Sequence, residues 1–140
     1  MSQENVEIVR QRYEHLTATG EPFTDTTALD FVWDMSTFRG WPEQQTYEGV
    51  EEARGFLRNW IETWDDWELD VEALHDAGDK VVAIMRQRGR SKASGLPVDM
   101  SFAQVWTIRD GKLARMEMYA DPGSGLKAVG MSEQDALADS

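Results

Sequence analysis

Three residues in this 140-residue chain combine a polar group with apolar neighbours, and their types set the chemistry it could run. Asp34 sits between Trp33 and Met35. A carboxylate at a cavity wall among indoles loses hydration, which raises its pKa and suits it to taking a proton next to a carbonyl. It could equally face solvent, or bond Arg86. Arg86, Arg88 and Arg90 repeat every two residues, with Lys92 extending the row, so on a strand they point the same way. Beside Val82 and Ile84 at a cavity wall, Arg86 would bind a carboxylate or an enolate oxygen. The alternative is a solvated strand end paired with some of the 26 Asp and Glu residues. Gln104 lies two residues from Phe102 and two from Trp106. A buried amide left unsatisfied costs about 1–3 kcal/mol. Gln104 is therefore either a core residue tied to backbone or water, or the hydrogen-bonding group of an apolar cavity.

Other chemistries find no support. Cysteine is absent, which removes disulfides, thiolate catalysis and Cys-based zinc sites. The 2 histidines, His15 and His75, fall on different elements, so no metal site is expected. The segment from Gly123 to Ala128 matches G-x-G-x-x-A after a strand, but too little chain follows for a βαβ unit. A glycine-rich helix start explains it better, and no cofactor is expected. Asp121, just before Pro122, reads as a helix cap.

Lys plus Arg total 14 against 26 acids, a formal net charge of −12. That charge argues against holding nucleic acid by its phosphates and against anionic membrane surfaces. Hydrophobic residues make up 41%, a globular composition and not that of a disordered acidic segment. The start, Met1-Ser2-Gln3-Glu4-Asn5, is polar and lacks the features of a signal peptide. No apolar run approaches the roughly 20 residues of a membrane span. A cytoplasmic location is the expectation.

These residues need elements to position them. Val6, Val9, Tyr13 and Leu16 share one face of a helix over 3–18, with Ser2 as its cap and Gly20 at its end. Residues 25–31 read as a short second helix, with Ala28, Leu29 and Val32 on its apolar side. Trp33 to Phe38 is extended, and 39–45 a loop. The strongest helix covers 49–65, with Val50, Ala53, Leu57, Trp60, Ile61 and Trp64 inward. The period then falls to two. Trp67, Leu69, Val71 and Ala73 mark one strand, and 81–92, 98–109 and 112–120 three more. Asp110-Gly111 is a strong hairpin signal. A short helix from Pro122 ends at Gly130. Helices followed by hairpin-linked strands indicate an α+β fold, with helices on one face of an antiparallel sheet. Residues 1–131 form a single domain in this reading, and 132–140 a flexible tail. The small odd-numbered side of 98–109, with Ser101, Ala103 and Val105, suits close contact with another surface, such as a second subunit.

Several segments together resemble SnoaL-like proteins of the nuclear-transport-factor-2-like superfamily. They are Glu4-Asn5-Val6-Glu7-Ile8-Val9-Arg10, Phe31-Val32-Trp33-Asp34, Tyr47-Glu48-Gly49-Val50-Glu51-Glu52, Asp76-Ala77-Gly78-Asp79-Lys80-Val81-Val82, Phe102-Ala103-Gln104-Val105-Trp106-Thr107 and Asp110-Gly111-Lys112-Leu113. The resemblance runs from about Ser2 to Gly130. It implies a cone: helices packed on a strongly curved sheet that encloses a pocket, with Trp33 and Asp34 on the first strand, often in a homodimer through the sheet. Counted from Asp110-Gly111-Lys112, the essential histidine and aspartate of the family's polyketide cyclases would fall at Gln104 and Met118. Neither can transfer a proton, so the cyclase mechanism is not expected. Asp34 could take the role of a ketosteroid isomerase's base, and Asp34 with Arg86 two places in an epoxide hydrolase's Asp–Arg–Asp set.

The resulting expectation is an aromatic pocket for a small hydrophobic organic molecule. Its lining would come from Tyr13, Trp33, Phe56, Trp60, Trp64, Phe102, Trp106, Met116 and Met118. In an enzyme, Asp34 would be the base and Arg86 or Gln104 would polarise an oxygen, without a cofactor. In a non-catalytic binder, Gln104 and Arg86 would only orient the ligand. A dimerisation module would instead have a filled interior.

Overall fold

The computed structural model describes residues 2–21, 23–38 and 46–131. The expected loop at 39–45 and the expected tail at 132–140 lie outside the described residues, as does the side chain of Ser2.

Helix α1 spans Ser2–Thr19. Val9, Tyr13 and Leu16 are buried and Val6 packs against them, as the spacing requires. Gly20 ends the helix at φ +79°, its N–H donating to the Leu16 carbonyl at 2.8 Å. The next element is strand β1, Thr27–Asp34, and not the short helix expected at 25–31. Thr27, Phe31, Val32 and Trp33 are β-branched or aromatic, and the chain buries Phe31, Trp33 and Met35 in alternation. Leu29, which a helix would have turned inward, is 90% exposed.

Strand β2, Thr46–Glu48, pairs with β1 and leads through Gly49, at φ +86°, into helix α2, Val50–Glu62. Ala53 and Leu57 form its buried stripe. The helix stops at Glu62, so Trp64 opens a strand and does not extend the helical face. Four strands follow: β3 Trp64–Ala77, β4 Lys80–Ser91, β5 Pro97–Arg109 and β6 Lys112–Tyr119. Asp110 and Gly111 both take positive φ, 54° and 75°, as a tight primed turn demands. Helix α3, Pro122–Ala128, is capped by Asp121, whose carboxylate accepts from the Ser124 N–H at 2.9 Å.

The strands form one six-stranded sheet in the order β2-β1-β6-β5-β4-β3. Every pairing is antiparallel except β1 with β6, which is parallel, with Trp33 opposite Met116. The sheet is therefore mixed. A turn fixes the direction of hairpin-linked strands, but β1 docks on the last strand of the sheet with no turn between them.

Register divides the sheet into two faces. Met85 lies opposite Phe102, Ala83 opposite Gln104, Gln104 opposite Met118, and Trp106 opposite Met116. This face packs with α1 and α2 into the main core. The other face presents Val82, Ala103 and Val105 to Leu126 of α3. A Cβ on Gly125 would stand 2.4 Å from the Ala103 Cβ, so only glycine permits the approach. The small side of β5 is thus in close contact with another surface, and that surface is the chain's own α3. Edge strand β3 exposes Asp65, Glu68, Asp70, Glu72 and Asp76, charges that discourage further strand pairing. No helix of the described residues is long and apolar enough to cross a membrane.

Candidate functional site

A cavity opens between the two long helices and the sheet face they cover. Its walls come from Arg12 and Leu16 of α1, Trp33 of β1 with Met35 and Phe38 beyond it, and Phe56, Leu57 and Trp60 of α2. Trp67 and Leu69 of β3, Gln87 of β4, Met100, Phe102 and Gln104 of β5, and Met118 of β6 complete it. The volume open to the centre of a water-sized sphere is about 50 Å³. One water needs about 10–15 Å³ on that measure and a benzene ring about 150 Å³. The space therefore holds a few waters as it stands, and a ring would enter only as flexible walls such as Met35, Met100 and Met118 give way. Arg12, Gln87 and Gln104 supply the side-chain hydrogen-bonding groups among an otherwise apolar and indole lining.

Gln104 is 5% exposed, and its Oε1 accepts a hydrogen bond from the Tyr13 hydroxyl. That hydroxyl in turn accepts from Trp106 Nε1 at 2.8 Å. An indole N–H can only donate, so the tyrosine proton must point to Gln104 and the chain has one direction. Tyr13 and Trp106 meet edge to face, centroids 5.9 Å apart. Burial pushes the Tyr13 pKa above its ordinary value, which keeps the phenol protonated. Gln87 is held in the same way. Its Oε1 accepts from Trp60 Nε1 at 2.7 Å and from Trp67 Nε1 at 3.1 Å.

Arg12 is 1% exposed. Its guanidinium carbon lies 4.9 Å from the Trp106 ring centroid, 5.2 Å from Tyr13, 5.7 Å from Phe23 and 5.9 Å from Trp33. Desolvated cation–π contacts are worth about 2 kcal/mol each and offset part of the cost of burying the charge. Burial lowers the Arg12 pKa to about 10, with Tyr13 opposing the shift. The group remains a cation at neutral pH.

Of the residues expected from sequence, Trp33, Phe56, Trp60, Phe102, Gln104 and Met118 line the cavity. Tyr13 and Trp106 stand behind Gln104 and orient it. Met116 is buried in the core without reaching the cavity lining. Trp64 also falls outside the lining and packs edge-on against Trp60, centroids 5.5 Å apart. The polar trio is not assembled as expected. Asp34 and Arg86 both point away from the cavity, because adjacent strand residues face opposite ways. Trp33 faces inward, so Asp34 faces outward. There it accepts from the Ser36 N–H at 2.8 Å and the Ser36 hydroxyl at 2.5 Å, and pairs with Arg115. Arg86 lies opposite Ser101, on the face away from Gln104, and holds Asp99 with bonds of 2.8 and 2.5 Å. Arg88 pairs with Asp70 and Glu68, so the arginine row is a solvated one.

Two cavity groups, Arg12 and Gln87, were missed. Arg12 follows Val9 by three residues and precedes Leu16 by four, which places it on the buried stripe of α1. Gln87 shares the parity of Met85 and Ala83, the neighbours of Phe102 and Gln104. Both signals were readable. Among the described residues no group of three His, Cys, Asp or Glu side chains could hold a metal ion.

Known proteins agree with this architecture. The structure is similar to an NTF2-like protein from Burkholderia thailandensis E264, with 28% identity and a TM-score of 0.73 over 84% of this chain and 90% of that one. It is similar to a protein from Jannaschia sp. CCS1 provisionally assigned as a SnoaL-like polyketide cyclase, at 23% identity and TM-score 0.68, covering 84% and 85% of the two chains. A third similar structure, from Catenulispora acidiphila DSM 44928, has a ketosteroid isomerase-like fold and was solved with trimethylamine. It is 19% identical with TM-score 0.68, over 91% of this chain and 95% of that one. No curated protein matches the sequence. The model of the SnoaL-like domain matches residues 9–116, which include α1 from Val9 and the sheet through Met116, and the chain belongs to that family.

Proposed function

We propose that this SnoaL-like chain binds a small, mostly hydrophobic, ring-bearing organic molecule in the cavity between α1, α2 and the sheet. The observation that carries the reading is the open cavity itself, walled by Trp33, Phe56, Trp60 and Phe102 and set with Arg12, Gln87 and Gln104. Apolar walls with a few placed polar groups are the usual make-up of small-molecule sites. The described lining residues include no carboxylate and no imidazole. They can orient a ligand and polarise its oxygen, but they do not supply the base that acid–base catalysis by Asp34 required. Binding without a base in the cavity is therefore the function the geometry supports best. A homodimer through the sheet would use the part of its outer face that α3 leaves open, and sedimentation equilibrium tests it.

The test is a titration with single-ring aromatic compounds, followed by tryptophan fluorescence, since Trp33, Trp60 and Trp67 line the cavity. Saturable binding is expected, and Leu57→Trp, which fills the cavity, should abolish it while the thermal transition stays cooperative. Absence of saturable binding by any compound, or binding untouched in a folded Leu57→Trp variant, would remove the proposal.

A further inference from the structure

The cavity's polar groups share a property that ligand binding alone does not require: they are donors. We infer that the cavity selects its ligand by hydrogen-bond acceptors, and that the ligand carries a carboxylate or an equivalent anionic oxygen group at its buried end. The inference rests on the reading that the cavity binds a small molecule, and it names the chemical class.

The argument starts from the two glutamines. An amide could turn either its oxygen or its nitrogen to a ligand, and ordinarily the choice is open. Here it is closed. Gln87 Oε1 receives two indole N–H groups, Trp60 at 2.7 Å and Trp67 at 3.1 Å, which use both lone pairs of the oxygen. Flipping the amide would set NH₂ against two groups that can only donate. Its Nε2 has only the weak Met100 Sδ contact at 3.9 Å, and so retains donor capacity. Gln104 Oε1 is fixed by the chain from Trp106 through Tyr13, whose one proton is committed to it. Its Nε2 forms no hydrogen bond among the described residues, on a side chain that lines the cavity. That NH₂ group is therefore free to donate to a ligand acceptor.

Arg12 adds the third donor group. A guanidinium has five N–H groups and no acceptor. It is also the one ionisable group among the described lining residues. The ring of Tyr13, Phe23, Trp33 and Trp106 holds it in place and keeps water away from it. In such surroundings a charge-assisted hydrogen bond is stronger than in water. Gln104 and Arg12 meet at one end of the cavity, joined by Tyr13 and Trp106, and a carboxylate there would find donors from both. Gln87, opposite Met100, lies four residues further along the sheet, about 13 Å away, and would serve the far end of the ligand. An amine would meet donors with donors and a cation with a cation. An alcohol would use its acceptor but leave its own proton without a partner.

Four ligands of nearly one shape test this: benzoate, benzyl alcohol, toluene and benzylamine, titrated at neutral pH by calorimetry or by ligand-detected NMR. Benzoate should bind tightest, by about tenfold or more over benzyl alcohol and toluene, and benzylamine weakest. This part needs no variant. Gln104→Glu then keeps the shape and an acceptor for the Tyr13 hydroxyl, but replaces the Nε2 donor with an oxygen. It should lower benzoate affinity about tenfold or more and leave toluene unchanged. If toluene or benzylamine binds as well as benzoate, the cavity is a ligand site but the inference is wrong. If a folded Gln104→Glu protein keeps full benzoate affinity, the donor wall is likewise refuted. If none of the four binds to a protein whose circular dichroism shows it folded, the binding proposal fails and takes this inference with it.

Discussion

Arg86 and Gln87 are neighbours on β4, yet they belong to different worlds. Arg86 faces water with Asp99, on the side where Arg88, Asp70 and Glu68 also pair. Gln87 faces the cavity, 3% exposed, with its oxygen held by two indoles. The outer face handles polarity by leaving charges in solvent, where each pair contributes little. The inner face handles it with few groups, each given a specific partner from another element. A change on the outer face is absorbed by water, while a change on the inner face has to be absorbed by neighbours.

Replacing Trp106 by alanine should have the largest effect, about 3–5 kcal/mol of stability by urea unfolding, since the indole is fully buried and also directs Tyr13. The smaller of these losses would mean that the inner face relaxes more than its packing implies. Gly125→Ala tests the crowded part of the outer face. The new Cβ would meet Ala103 at 2.4 Å, and overpacking of this kind costs about 1–3 kcal/mol. Adding Ala103→Gly should recover much of that loss, and failure to do so would mean that the strain lies elsewhere. Asp34→Ala removes a buried outer-face carboxylate and should cost about 1–3 kcal/mol through Ser36 and Arg115, with benzoate affinity unchanged. Lost affinity in a stable variant would return Asp34 to the site.

The pH profile of benzoate affinity comes next in size. Arg12 attracts an anion only while protonated, and its pKa is lowered to about 10. Affinity should therefore be level through neutral pH and fall as pH rises past about 10, while Tyr13, pushed the other way, keeps its proton and its direction. A fall already complete by pH 8 would point to another group. Least is expected of Arg86→Ala. Arg86 holds the Asp99 carboxyl below its ordinary range. The stability this adds is present above the usual aspartate value and is lost as pH falls through the lowered one. Both side chains are largely in solvent, so the melting temperature should not move measurably at neutral pH.

Much of the frame was legible in the residues. Val9, Tyr13 and Leu16 marked the buried side of α1, Asp110-Gly111 marked the last hairpin, and the position of Gln104 among Phe102 and Trp106 marked a buried amide, whether of the core or of a cavity. Ala28, Leu29 and Val32 misled because so short a run fits a helix as well as a strand, and the contact that decides, Trp33 against Met116, is 83 positions away. Asp34 and Arg86 misled for a different reason. Each stood beside apolar residues in sequence, but on a strand the immediate neighbour is the one residue sure to face the other way. Spacing could place Arg12 and Gln87 on inward faces but gave neither a partner there. What buries them is indoles supplied by other elements, and pairings of that kind leave no local mark in the sequence.

The parallel pairing of β1 with β6 also has a consequence in time. The wall residues Trp33 and Met35 arrive early on the ribosome, and their strand can pair at once with β2, but it cannot join the rest of the sheet until β6 emerges. Loop closure over such a span is entropically costly and slow compared with the hairpins β3–β4, β4–β5 and β5–β6, which can zip locally. The cavity can therefore be completed only after β6, which supplies Met118, is in place. Until then Phe31, Trp33 and Met35 have β2 beside them but not the sheet against which they are buried, and apolar surface exposed in this way favours aggregation.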